Sequence, residues 1–169
     1  MRKLATLSLL TSLAVILHTV EAWLPIPYLL PGAKLGFANI VAVYTLDVMG
    51  IKDALLIGIL RTTISGLLTG TFLTMGFFLS FSGAIVSTLA MGAAFYFKRN
   101  SPGLTVIGIS VLGATVHNLT QLLVASLIVR HTGLLFYLPY LLLFGVPTGI
   151  LVGILAKRLI TVTAALYRR

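Results

Sequence analysis

Three polar residues interrupt a long apolar segment and are spaced to lie together on a helix. The stretch GATVHNLTQ, residues 113–121, falls inside the apolar run 104–129. His117 and Gln121 are four residues apart and Asn118 and Gln121 are three apart, so one helix face presents an imidazole and two carboxamides. These groups donate and accept hydrogen bonds, which makes them candidates for orienting a bound solute. The alternative is a purely structural role, in which they hydrogen-bond across helices.

Further polar residues occur in the first three apolar segments. His18 and Glu21 are spaced to share a face of the first segment, Asn39 lies in the second, and Arg61 lies within the third. A charge near the bilayer centre costs roughly 2.5–3.5 kcal/mol, so Arg61 is expected to face the protein interior. There it would bind an anionic group, pair with Asp47, or cap a broken helix end. For His18 and Glu21 the alternatives are a shared ligand and a mutual hydrogen bond.

The segment LPIPYLLPGAK, residues 24–34, connects the first two apolar runs and contains three prolines. Because proline fixes the backbone, we expect an ordered external loop over the outer mouth of a helix bundle. Tyr28 would touch a ligand there or belong to an aromatic belt, and Lys34 would neutralise an anion or anchor the chain at the interface. The predicted solute-binding residues are His18, Glu21, Tyr28, Lys34, Asn39, Arg61, His117, Asn118 and Gln121.

The composition gives no support for catalysis or for a bound metal. The chain has three acidic residues, three histidines and no cysteine, and its acids at Glu21, Asp47 and Asp53 form no cluster that would hold magnesium diphosphate. It has no phosphate-binding P-loop either. We therefore predict that the protein is not an enzyme, has no catalytic residues, binds no metal or cofactor, and cannot drive transport with ATP by itself.

The elements that position these residues are predicted to be transmembrane helices. Of the 169 residues, 59% are hydrophobic and 9% are charged, and the mean hydropathy is +1.11. Soluble domains carry about 25% charged residues. We predict an all-α integral membrane protein with a single transmembrane domain over residues 1–169 and a bundle of about six helices. The spans are predicted at about residues 4–24, 35–48, 54–68, 75–97, 104–129 and 134–155.

The basic residues predict the orientation of this bundle. With six spans, the cations at the termini and in two of the connections fall on one side, and only Lys34 and Arg130 fall on the other. The basic side is the cytoplasmic side, so both termini are predicted to be cytoplasmic. Basic residues flanking apolar spans also attract anionic lipid headgroups, which explains the formal charge of +9 without nucleic acid as a partner.

Three stretches carry a resemblance to a known family: PGAKLGFANI (residues 31–40), RTTISGLLTG (61–70) and GATVHNLTQ (113–121). They resemble the Gx transporter family, also catalogued as heptaprenyl diphosphate synthase component I. That family is similar in size and span number to the substrate-binding S components of energy-coupling-factor (ECF) transporters. The resemblance implies a prokaryotic plasma membrane, a transmembrane coupling protein and two cytoplasmic ATPase subunits as partners, and an ECF S-component-like bundle.

In such S components the first helix presents small residues, often Ala-x-x-x-Ala, to the coupling protein. This chain offers Ala5, Ser8 and Ser12 instead. Ser8 and Ser12 are four residues apart and still make a face on which helices can pack closely. These three residues are the predicted partner-docking residues.

The leading functional hypothesis is a membrane-embedded substrate-capture subunit of an ECF-type uptake transporter. It would bind a small micronutrient-like solute near the extracellular face, either anionic or related to isoprenoids or quinones. One alternative is an accessory membrane scaffold for isoprenoid or quinone biosynthesis that presents prenyl substrates to a soluble enzyme. The other is a standalone carrier coupled to protons through His18, Glu21 or His117.

Overall fold

The computed structural model of this chain describes residues 2–23, 36–98 and 103–167. Across these segments it contains helices and no strand, so the protein is an all-α integral membrane protein. The helices are α1 (Arg2–Trp23), α2 (Ala38–Val48), α3 (Ile51–Leu68), α4 (Met75–Lys98), α5 (Val106–Val129) and α6 (Leu138–Tyr167). A 3-10 helix, Thr132–Tyr137, precedes α6.

The observed helices follow the predicted spans, with differences at their ends. Among the described residues, α1, α4, α5 and the segment Thr132–Ala165 are long and apolar enough to cross a membrane. The last predicted span ended at Leu155, but α6 continues to Tyr167, because basic residues end a transmembrane segment without ending a helix. The third helix begins at Ile51 rather than Ala54 and is continuous, so it is not broken at Arg61.

Helix α2 is short because it forms the centre of the bundle. It has 11 residues, which is about 16 Å of helix, and it contacts each of the other five α-helices. Seven of its residues are buried, including the fully enclosed Val43 and Thr45. A helix that is apolar on all sides is buried on all sides. Protein rather than lipid therefore surrounds α2, and it has no need to span the bilayer.

Successive helices alternate in direction, which brings the predicted basic ends together. Lys3 near the start of α1 pairs with Asp53 at 2.9 Å, and Lys98 at the end of α4 is 3.8 Å from Asp47 at the end of α2. Gly50 precedes α3, and Asp53 lies in the first turn of this helix. Asp47, one of the predicted partners of Arg61, is engaged at this basic end.

Helices α5 and α6 pack closely against each other through a glycine series. Gly145, Gly149 and Gly153 are spaced by four residues and lie on one face of α6. A methyl group on Gly153 would lie 2.7 Å from the Cα of Ile107, and one on Gly149 would lie 2.9 Å from the Cα of Val111. Small residues at this spacing let helix backbones pack closely in membranes. We call this contact of Gly145, Gly149 and Gly153 with α5 the glycine seam. It determines which face of α5 points toward the interior of the bundle.

Candidate functional site

A polar pocket lies where the central helix begins. Ala38 and Asn39 are the first residues of α2, and both line this pocket. Arg61 is ten residues, or about 15 Å, from the start of α3, which places the pocket near mid-height of that helix. All six α-helices contribute to its lining. The lining residues are His18, Glu21, Gly36, Ala38, Asn39, Arg61, Ser80, Met91, Ser110, Ala114, His117, Asn118, Thr148, Gly149 and Val152.

Arg61 is the buried cation of this pocket. Only 4% of the residue is exposed, and its Nη2 donates a hydrogen bond to Oδ1 of Asn39 at 2.9 Å. Its Nε is buried without a hydrogen-bond partner among the described residues. The sequence left open whether Arg61 binds a ligand, pairs with Asp47 or caps a helix end. The structure pairs Asp47 with Lys98 and leaves α3 unbroken, so Arg61 has neither of those two roles, and ligand binding by Arg61 stays a prediction.

Glu21 supplies the negative charge of the pocket and also joins two segments of the backbone. It is 5% exposed, and a carboxylate oxygen accepts a hydrogen bond from the backbone N–H of Gly36, two residues before α2 begins. Glu21 also attracts Arg61 electrostatically. His18, one turn earlier on α1, lines the same pocket. The first two helices therefore contribute to the pocket the residues that the sequence predicted from them.

His117 and Gly113 on α5 face helix α4. The imidazole of His117 lies against Gly83, where an added methyl group would be 2.9 Å from its Cε1. Gly113 leaves room for the side chain of Met91, whose sulfur would lie 2.3 Å from a methyl group added to this glycine. Gly83 and Gly113 thus make room for the side chains of His117 and Met91 between α4 and α5, and His117 also lines the pocket.

Asn118 lies on the other side of α5, toward α6. Its Nδ2 donates a hydrogen bond to the backbone carbonyl of Leu141 at 3.1 Å, and the residue is 9% exposed. Its amide nitrogen occupies the space that a side chain at Gly145 would fill. Asn118 lines the pocket and also links two helices, so the structural and the binding interpretations both apply to it.

The remaining predicted residues are placed differently. Gln121 is buried at 5% exposure but does not line the pocket. Tyr28 and Lys34 lie outside the described residues, as does the proline-rich segment 24–34. Their roles stay predictions. The docking residues Ala5, Ser8 and Ser12 are all exposed on α1.

Three hydroxyl residues of the pocket were missed from the sequence. Ser80 on α4, Ser110 on α5 and Thr148 on α6 line it, and the Oγ of Ser110 is buried without a hydrogen-bond partner among the described residues. Ser110, Ala114 and Asn118 are spaced by four, which is a helical signal that was available. Serine and threonine are common in membrane helices because their hydroxyls bond to the preceding turn, so their presence alone gave no indication of a site.

The pocket is small and is built for hydrogen bonding and charge. It encloses about 40 Å³, where a single water needs about 10–15 Å³, so it admits a group of about three non-hydrogen atoms. Its described lining contributes one guanidinium, one carboxylate, two imidazoles and several hydroxyl and amide groups. In the described segments no three His, Cys, Asp or Glu residues are grouped to hold a metal ion. The arrangement suits the recognition of a small polar group.

The chain was compared with known proteins. The sequence profile described as heptaprenyl diphosphate synthase component I matches residues 10–159. No curated protein and no solved structure gives a significant match. The profile covers all of α2 to α5 and most of α1 and α6, and with them every described residue of the pocket. This chain therefore belongs to the heptaprenyl diphosphate synthase component I family.

Proposed function

We propose that this protein is a membrane-embedded binding protein that captures a small polar solute in the pocket at the start of α2. The observation that carries the proposal is the buried Arg61, which lines the pocket together with polar residues from the other helices. An intramembrane charge costs roughly 2.5–3.5 kcal/mol on insertion scales and generally marks a binding or transport site. A solute that bonds to these groups would offset part of that cost.

The polar groups are arranged so that a solute is held from several directions. Arg61 and Asn39 act from α3 and α2, and Ser110 and His117 act from α5. Because these helices are distant in sequence, a solute would crosslink the bundle and stabilise it by mass action. A solute larger than the present cavity would insert only one polar group, or would require the helices to separate.

Within this proposal, the protein serves as the substrate-capture subunit of an ECF-type transporter. The resemblance in size and helix number supports this assignment, and the chain has no P-loop to supply energy itself. A transmembrane coupling protein and two cytoplasmic ATPase subunits would be its partners. The exposed small residues Ala5, Ser8 and Ser12 on α1 would form the docking face. The membrane would be the prokaryotic plasma membrane, with both termini cytoplasmic.

Native mass spectrometry of the protein purified from its own membrane tests the capture function. We expect a retained small-molecule adduct in the wild type. His117→Ala should reduce the retained fraction about tenfold or more, which corresponds to the loss of one good hydrogen bond to a bound group. Leu112→Ala is the matched control, because Leu112 lies on the same helix with its side chain exposed to lipid.

Equal retention in a well-folded His117→Ala variant would remove His117 from the site. Absence of any adduct from the wild-type protein, together with failure of added candidate solutes to bind, would count against capture as a whole.

The family description favours a second candidate function. A chain that belongs to the heptaprenyl diphosphate synthase component I family is a candidate membrane partner of a prenyl diphosphate synthase, to which it would present substrate. Affinity purification from the native membrane separates the two candidates. Recovery with ATPase subunits and a coupling protein supports solute capture, whereas recovery with a prenyl synthase supports the accessory role.

A further inference from the structure

We infer that the group recognised in this pocket is a carboxylate, with Arg61 as its principal donor and Ser110 as a second donor. The inference rests on the proposed function, because it names the chemical class of the captured solute. It depends on three properties of the pocket that can be argued separately, namely its unused donors, its charge balance and its size.

Two buried donors line the pocket without an acceptor among the described residues. They are Nε of Arg61 and Oγ of Ser110, on residues that are 4% and 3% exposed. Asn39 accepts a hydrogen bond from Nη2 of Arg61 and so fixes the plane of the guanidinium while Nε stays available. Buried donors that lack an acceptor are unfavourable, and charged donors most of all. A ligand with acceptor oxygens would accept hydrogen bonds from both Nε of Arg61 and Oγ of Ser110.

The charge balance favours a ligand with one negative charge. Within the described part of the lining, the formal charges of Arg61 and Glu21 sum to zero, and Glu21 is already engaged by the N–H of Gly36 and by its attraction to Arg61. The start of α2 also faces the pocket, and the N-terminal end of a helix carries a positive partial charge. This end, with about half a positive charge, would offset part of the charge of a monoanion, whereas a dianion such as hydrogen phosphate would leave more uncompensated negative charge beside Glu21.

The size of the cavity agrees with a carboxylate. Its 40 Å³ corresponds to about three water molecules, and a carboxylate has three non-hydrogen atoms. Phosphate has five. The guanidinium of arginine also matches carboxylate geometry better than an ammonium does.

Thermal unfolding of the full chain in detergent with small probes tests the inference. Acetate, its neutral isostere acetamide, and inorganic phosphate are added separately at constant ionic strength, with chloride as the balancing anion. We expect acetate to raise the melting temperature by about 2 °C or more and the other two to leave it unchanged. An equal rise with acetamide, a larger rise with phosphate, or no rise with acetate would overturn the assignment.

Two variants locate the acetate effect. Arg61→Gln should abolish the rise, and Ser110→Ala should weaken the apparent affinity for acetate about tenfold. Ser87→Ala is the matched control, since Ser87 is buried at 1% exposure but does not line the pocket. If acetate raises the melting temperature of a folded Ser110→Ala variant as much as that of the wild type, Ser110 is not a donor to the carboxylate. If Arg61→Gln does not fold, the comparison of acetate with acetamide on the wild type still decides the question.

The outcomes separate this inference from the capture function. A neutral solute retained in native mass spectrometry, with no acetate effect, would overturn the carboxylate assignment and leave solute capture standing. Recovery of a carboxylic acid from the purified protein would support both.

Discussion

At the residue scale, the pocket is defined by how each buried polar group is satisfied. Glu21 accepts from a backbone N–H, and Asn39 accepts from Arg61. Asn118 donates to the backbone carbonyl of Leu141 and so holds α5 and α6 together at the rim of the pocket. These hydrogen bonds offset the free energy that is lost when polar side chains are buried away from water. Glu21, Asn39 and Asn118 therefore each combine a structural partner with a place in the pocket.

Asn118→Ala should reduce stability measurably, because it removes the bond to Leu141 and leaves that carbonyl without its side-chain partner. Interhelical hydrogen bonds in membranes average about 0.6 kcal/mol, and removal of packed atoms adds to this, so we expect a loss of about 1 kcal/mol. Thermal or denaturant unfolding in detergent measures it.

Thr120→Val is the control for Asn118→Ala. The hydroxyl of Thr120 bonds only to the carbonyl of Val116 on its own helix, so its replacement should change stability by a few tenths of a kcal/mol. Equal losses of stability in the two variants would contradict a stabilising hydrogen bond between Asn118 and Leu141.

At the element scale, the glycine seam between α5 and α6 determines which residues of α5 line the pocket. Gly149 lies against Val111 and Ala114, and Gly153 lies against Ile107 and Ser110. The two helix backbones can approach this closely only because glycine has no side chain, since a methyl group would lie 2.7 or 2.9 Å from a Cα atom of α5. Because the seam fixes the rotation of α5, it sets the direction of Ser110 and Asn118 toward the interior.

Gly153→Ala should force α5 and α6 apart, since the new methyl group would lie 2.7 Å from a backbone atom that cannot move alone. Overpacking of this kind costs about 1–3 kcal/mol. The same variant should weaken binding of the retained solute, because separation of the helices displaces Ser110. Unfolding in detergent and native mass spectrometry measure the two effects.

Gly108→Ala is the matched control on α5. A methyl group at Gly108 would meet only the hydroxyl of Thr105 at 3.4 Å, an ordinary contact, and alanine favours the helix by about 1 kcal/mol over glycine. This variant should be neutral or more stable. If Gly153→Ala were equally well tolerated, the seam would not be a close-packed interface.

At the scale of the whole molecule, the central helix α2 is about half as long as α1 or α4, and its two ends contribute residues to two different regions of the bundle. Asp47 near the end of α2 pairs with Lys98 at the basic end, and Ala38 and Asn39 at the start of α2 line the pocket. The alternation of the helices brings Lys3, Lys52 and Lys98 to the same end, as the predicted orientation requires.

Single-cysteine labelling tests the orientation, and the absence of native cysteines means that no background mutation is needed. Lys52→Cys places a thiol at the exposed basic end, and Thr132→Cys places one at the exposed opposite end. With a membrane-impermeant maleimide on intact cells, we expect labelling of Thr132→Cys and protection of Lys52→Cys until the cells are permeabilised. The reverse pattern would invert the topology and place the basic end outside.

The sequence by itself determined the helices, their number and the end at which the cations gather. It could do so because lipid requires backbone hydrogen bonds to close within each segment, so that apolar run length and breakers delimit the elements. It also indicated His18, Glu21, Asn39, Arg61, His117 and Asn118, since polar residues in apolar helices are few and conspicuous.

Only the tertiary structure decided which of the polar residues face one another. Periodicity places Asn118 and Gln121 on one helix face, but it does not fix the rotation of that face relative to neighbouring helices. The close packing at Gly149 and Gly153 fixes it, turning Ser110 and Asn118 into the pocket while Gln121 is buried outside it. The partner of Arg61 likewise depends on the central position of α2, which brings Asn39 to the guanidinium and leaves Asp47 at the basic end. Such contacts join residues distant in sequence, and helical spacing carries no information about them.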